Sequence, residues 1–422
     1  MIDAFFRKLK IIVSDRPLRN RVLFLLGAIA AFRFLAAVPI PGVNRAALDQ
    51  FFAGNQFLGL LNIFSGGGFS NISLVLLGVG PYITASIIMQ LATVISPKIK
   101  AMYTEEGEQG RTKFISLARS ITIPIAILQA VAFLSLLENQ GILVPLTPFA
   151  FAVNIFLVAA GSMLLMWVGE LITEFGIGNG VSLLIFAGII AAVPAGVSQL
   201  LFTASAANIP TYLAFLAAVF VITLAIVVVT EAERSIPITY ARQVRAGTQG
   251  ATTYLPIRML QAGVIPIIFA LSLILLPQMV FAGLASFGFP WATSAAAWYQ
   301  GFSANTWAYG SLYFLLVVMF TFFYTSITFE PKRVSDNLQK SGAFIPGVRP
   351  GRETEEYIGN VVNRITFPGA LFLGFVAVVP FIIQGLTGIT AILVGGTALL
   401  IAVQVLIDLI RKIDAQVALR EY

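Results

Sequence analysis

Histidine and cysteine are both absent from this 422-residue chain. That excludes imidazole and thiolate metal sites and any histidine-dependent catalytic triad. Charge is scarce as well: Asp, Glu, Lys and Arg make up 11%, against roughly 25% in an ordinary soluble domain. No Walker motif appears. The glycine-rich run at 176–180 follows an apolar segment rather than a strand and holds no lysine, so it does not read as a phosphate loop. What fills the space is apolar: 58% hydrophobic residues and a mean hydropathy of +0.91. So little polar surface cannot cover the chain in water. Lipid must cover much of it.

A spanning helix needs about 20 mostly apolar residues. That rule places ten spans near 22–38, 73–95, 115–137, 150–169, 181–203, 211–230, 261–283, 309–329, 368–386 and 388–410. The first run follows basic residues and precedes many further spans, so it reads as a retained helix rather than a cleaved signal. Before it, Ile2, Phe5, Phe6, Leu9 and Ile12 recur at helical spacing with Arg7, Lys8 and Lys10 between them. This pattern predicts an amphipathic segment lying on the membrane surface.

The basic residues set the orientation. Of the 26 lysines and arginines, 24 fall on one side of the ten-span arrangement, Arg45 on the other, and Arg33 within the first span. By the positive-inside rule both termini are cytoplasmic. Two polar loops on that side, 231–260 and 330–367, are long enough to carry function. The outer segment 284–308 holds Trp291, Trp298 and Trp307, which suit the lipid–water boundary.

Ten spans divide into two halves of five, and an odd number per half makes any duplication an inverted one. Such repeats place their working site at the interface of the halves, where matching spans are broken by glycine and proline. The second span of each half fits: Gly78-Val79-Gly80-Pro81 in one, Gly263-Val264-Ile265-Pro266 in the other. Ordinary proline kinks, as at Pro124, Pro194 and Pro380, are the plainer reading of the same residues.

Apart from Arg33 near the outer end of its span, no ionisable group lies deep in the apolar runs. Arg119, Glu170, Glu174 and Asp408 fall at span ends, where they can reach water. A proton- or ion-coupled transporter normally keeps such groups at the midplane. What the spans offer instead is isoleucine at one-turn spacing: Ile83 with Ile87, and Ile185 with Ile189. These are core packing or a constriction that blocks ions by staying dry.

Seven segments in register carry a resemblance. They are Arg33 with Pro39-Ile40-Pro41-Gly42; Phe64-Ser65-Gly66-Gly67; the run from Gly80-Pro81-Tyr82 to Met89-Gln90-Leu91; Glu106-Gly107-Glu108-Gln109-Gly110-Arg111; 176–180; Gly263-Val264-Ile265-Pro266; and the run from Ser341-Gly342-Ala343 to Arg349-Pro350-Gly351. Together they make the chain similar to the SecY family of protein-conducting channel subunits of the bacterial translocon. The resemblance implies an all-α membrane protein, ten transmembrane helices in two inverted halves forming a clam-shell around a central pore. Its parts are a cytoplasmic segment 1–21, halves 22–203 and 204–410, and a cytoplasmic tail 411–422.

The resemblance further implies a pore ring of Ile83, Ile87, Ile185, Ile189, Ile268 and Ile401, and a plug near 60–72 that includes Asn62, Ile63, Phe64, Ser65, Gly66, Gly67 and Gly68. It implies a lateral gate of helices two and three against seven and eight, with Thr84, Ser86, Gln90 and Gln261 along the seam. Arg242, Arg245, Arg349 and Arg352 correspond to the docking surface for the SecA ATPase and the ribosome. The 231–260 loop departs from the family's pattern, since many relatives carry a denser basic cluster at its tip. The partners implied are SecE and SecG, SecA, the ribosome, signal sequences and unfolded secretory chains, membrane lipids, and more distantly SecDF and YidC. No cofactor and no catalytic residue is expected, and the expected location is the bacterial plasma membrane. A small-solute transporter and a membrane scaffold or lipid-handling enzyme are the rival readings; the first should show a midplane binding residue, and the second leaves the long loops without purpose.

Overall fold

The structure, a computed structural model, describes residues 13–43, 72–139, 141–144, 146–202, 209–240, 253–261, 263, 265–286, 288–387 and 391–418. The expected surface segment before residue 13, Arg45, the plug residues Asn62 to Gly68, and Arg242 and Arg245 lie outside them.

Among the described residues, ten helices of 16 to 36 residues fall at the ten expected spans. In the first half these are α1 (Arg16–Ala37), α2 (Gly80–Ile95), α4 (Gly107–Asn139), α5 (Pro148–Phe175) and α6 (Gly180–Phe202), with a short α3 (Pro97–Thr104) between α2 and α4. In the second half they are α7 (Ile209–Glu231), α8 (Ile265–Ser286), α10 (Thr306–Thr328), α12 (Arg352–Thr387) and α13 (Ala391–Ala418). Two shorter helices, α9 (Pro290–Ala304) and α11 (Pro331–Lys340), precede α10 and α12. Proline sits in the first turn of α1, α2, α3, α5, α9 and α11, where its missing N–H has no helical partner to lose.

Large apolar side chains point away from the protein on these helices: Phe34, Ile95 and Phe220 are each at least 70% exposed. All four tryptophans, Trp167, Trp291, Trp298 and Trp307, are exposed too. Outward-facing apolar surface with tryptophans among it is the pattern of a protein solvated by lipid.

The second span differs from its expected bounds. Hydropathy places its start at 73, but residues 72–79 form successive turns and the helix begins at Gly80. The turn backbone packs on α5, where a side chain on Gly161 would collide with the Leu74 carbonyl oxygen. Ser162 Oγ donates 2.9 Å to the Gly78 carbonyl, giving a buried acceptor its partner. At the head of these turns Ile72, fully buried, adopts φ 42°, an uncommon setting for a β-branched residue. It is held by the Ile40 N–H, which donates 2.9 Å to its carbonyl.

The second half repeats this entry. Gly78 and Gly263 both have φ 57°, and in each half the helix begins two residues later with proline at its second position, Pro81 in α2 and Pro266 in α8. The glycines are needed because a positive φ costs other residues more. Matching breaks in two five-helix halves are the mark of an inverted repeat.

The halves touch along two seams. On one, α8 packs against α2 and α4; on the other, α13 packs against α6. At the first, Gly283 of α8 meets Ala132 of α4 so closely that an added Cβ would lie 3.0 Å from the Ala132 methyl. Small residues let the two backbones approach, as membrane helices do where lipid gives no hydrophobic drive to association.

The two long polar loops are not separate. Within 231–260, β1 (Glu233–Tyr240) and β2 (Thr253–Arg258) form an antiparallel pair, and β1 also pairs with β3 (Ala343–Phe344) from the other loop. The order is β2-β1-β3. Pro237 is tolerated in the central strand because β3 pairs only at Thr239 and Tyr240, beyond it. Beneath the sheet Ile236, Ile257, Ile345, Ile358 and Val362 form their own buried cluster.

Candidate functional site

The six isoleucines come from four helices, two in each half: Ile83 and Ile87 on α2, Ile185 and Ile189 on α6, Ile268 on α8 and Ile401 on α13. None is more than 6% exposed, and all belong to one continuous apolar cluster. Those four helices all take part in the two seams, α4 being the fifth. Spacing alone could pair the isoleucines within a helix. The structure shows that both pairs of the first half are buried in one core with Ile268 and Ile401 of the second.

Towards the basic end of the molecule the packing opens. A cavity of about 420 Å³ is lined by Ile83 and Ile268 together with Tyr82, Ser86, Gln90, Arg119, Glu170 and Glu174. Arg119 Nε donates 2.7 Å to Glu170 Oε1, joining α4 to α5. Each of those two residues reads from sequence as a solvated helix end; their pairing depends on a helix contact that hydropathy does not encode. A second cavity of about 250 Å³ lies beside the first, lined by Asn179 just before α6, Ser182 of α6, Gln261, and Gln404 and Asp408 of α13.

The seam residues divide between these spaces. Ser86 and Gln90 line the larger cavity and Gln261 the smaller. Thr84 is buried, and its hydroxyl turns back to donate 3.1 Å to the Gly80 carbonyl of its own helix. The Oε1 of Gln90 is buried with no hydrogen-bond partner among the described residues.

Of the four arginines expected to form a docking surface, Arg349 and Arg352 are described. Both stand out from the surface, 87% and 90% exposed, pairing loosely with Glu353 at 3.8 Å and with Glu356 at 3.1 Å. Arg349 follows the turn after β3, so the sheet fixes its place beside the 231–260 loop. The sequence hint to that sheet was period-two alternation in Ile236 and Ile238, which loop polarity obscures. Deeper in, Arg411 Nη2 donates 2.7 Å to the Thr230 carbonyl and Nε donates 2.9 Å to Glu231, so α13 holds the root of β1.

Two five-helix halves that meet along two seams and share one buried apolar core, with cavities beside it, define the class: a multi-span membrane channel. The SecY family model matches residues 73–410. A Protein translocase subunit SecY of Mycobacterium bovis is 39% identical over the whole of this chain and 99% of its own length. That of Thermotoga maritima is also 39% identical, covering 96% of this chain and 94% of its own. A solved structure of a protein-conducting channel superposes with a TM-score of 0.70 at 20% identity over 94% of this chain and 92% of its own. Sec61 in a canine ribosome–channel complex gives 0.67 at 19% over 94% and 92%. The chain belongs to the SecY family and has its ten-helix channel fold.

Proposed function

We propose that the chain is the pore-forming subunit of a preprotein translocase, a passive path for unfolded secretory polypeptides and a side exit for apolar segments into lipid. The observation that carries this is the isoleucine cluster contributed by both halves. Its contacts are undirected dispersion, so it can deform around any passing side chain. Packed shut it stays dry, and a dry constriction blocks ions without a charged gate. Parting α8 from α2 and α4 would connect that ring to lipid, where an apolar segment is stabilised by about 25 cal/mol per Å² of buried area.

The driving force comes from partners. Arg349 and Arg352 on the sheet-backed loops, with Arg242 and Arg245, are the docking positions for the SecA ATPase or the ribosome. SecE and SecG are the companion subunits, and the plug is the segment that includes Asn62 to Gly68. The orientation follows the basic residues, with both termini on the cytoplasmic side of a bacterial plasma membrane. A small-solute transporter would need a midplane binding residue that the ring does not supply.

Vesicles test this. Chain reconstituted with SecE, SecG and SecA should import a signal-bearing preprotein on ATP addition while resting ion leak stays low, and Ile185→Asn should raise the leak. Import independent of the chain, or a resting leak unchanged by Ile185→Asn, would count against the reading.

A further inference from the structure

Gln404 is 3% exposed, yet among the described residues neither its Oε1 nor its Nε2 has a hydrogen-bond partner. A carboxamide buried in this way is costly unless something satisfies it. It is not lost in packing, because Gln404 lines the cavity of about 250 Å³ between the halves. It lies three residues beyond Ile401 on the same buried face of α13, about 4.5 Å further along the helix towards the basic end. The cavity it lines adjoins the larger one, which reaches Ile83 and Ile268; the two share Asn179, Ser182, Ile265 and Tyr324 in their walls.

Of the charged residues lining the cavity, Asp408, Arg411 and Lys412 are held in ion pairs, and the fourth is Arg258. Asp408 meets Lys412 at 2.8 Å, and Arg411 meets Glu231 at 2.7 Å. Asn179 in the opposite wall is also committed, its Oδ1 accepting from the Ser182 N–H at 3.1 Å. Gln404 is therefore a neutral group offering donors and an acceptor side by side. Its chemical complement is another amide. A polypeptide of arbitrary sequence has one feature in common at every residue, a backbone N–H and C=O, and both lose water on entering an apolar constriction.

The geometry points to Gln404 as a binding position for the backbone of the translocating polypeptide, a sequence-independent hydrogen-bonding station at the mouth of the isoleucine ring. This rests on the channel reading and adds a ligand contact to it. The amide hydrogen-bonds each peptide group as that group gives up solvent, and releases it to the next. Undirected apolar contact in the ring and a directed but sequence-blind contact before it together accept any side chain.

The test compares full-length wild type with Gln404→Leu in vesicles holding the complete translocase. One preprotein carries a ten-residue glycine segment and the other the same segment in N-methylglycine, which lacks the N–H donor. Wild type should move the glycine segment faster than the N-methylglycine segment. Gln404→Leu should slow the glycine segment roughly two- to tenfold, the range one hydrogen bond supplies, and slow the N-methylglycine segment less, since only its carbonyls can bond the amide. Because the leucine replaces an unpartnered buried amide, the variant's Tm should equal or exceed that of wild type, which a structural role would not give. In parallel, single cysteines at positions 404 and 185 are crosslinked to a stalled chain. Wild-type rates on both segments in Gln404→Leu, which is the result for an amide that merely binds water, would overturn the proposal. So would capture at 185 without capture at 404. Capture at neither position would overturn the channel reading itself.

Discussion

At Gly161 and Ser162, one turn of α5 supports a stretch of non-helical backbone at membrane depth. The glycine gives residues 72–79 room to lie against the helix, and the serine satisfies the Gly78 carbonyl. Gly161→Ala should therefore destabilise by about 1–3 kcal/mol or more, since backbone cannot yield as a side chain does. Ser162→Ala should cost about 1–3 kcal/mol by orphaning a buried acceptor. Thermal unfolding in detergent reads both, and unchanged midpoints would refute the packing described. Hydropathy misplaced the start of this span because Leu74 to Leu77 are as apolar as any helix; the turns come from contacts with α5, eighty residues away. Gln404 was missed for a related reason. A lone glutamine near the end of an apolar run reads as interfacial, and only the fold shows that its amide is buried without a partner.

Between elements, the contact to test is the crossing of α4 and α8 at Ala132 and Gly283. A valine at 283 would drive its branched carbon into the Ala132 methyl and wedge the seam apart. Gly283→Val should then let preproteins with weakened apolar signal segments be exported severalfold better than by wild type; export at the wild-type level would count against this seam as the gate. The three-stranded sheet makes a different prediction. Arg349 is 87% exposed and its pairing with Glu353 is a loose surface contact, which contributes little to stability. Arg349→Glu should leave the protein folded and inserted while cutting SecA-driven import at least tenfold. Near-normal import would remove Arg349 from the docking surface. The sheet itself was hidden in the sequence because β1 and β3 lie about a hundred residues apart and β3 is two residues long, too short for any period to show. The paired glycine–proline breaks were legible because steric rules act locally, and they recur at the same φ in both halves.

For the whole molecule, the count of spans follows from hydropathy alone, and ten helices in two halves among the described residues agree with it; the sidedness of the basic residues is read from charge alone. The closing of those halves into one apolar core does not follow, because nothing local tells Ile401 that it will share a cluster with Ile83. The central claim is that polypeptide passes through the ring, and the absence of native cysteine makes its direct test clean. Single cysteines at Ile87, Ile185, Ile268 and Ile401, with lipid-facing controls at Phe34 and Phe220, are crosslinked to a secretory chain stalled in transit. The account predicts capture at all four ring positions and background at the controls; no ring position capturing above the controls would contradict it.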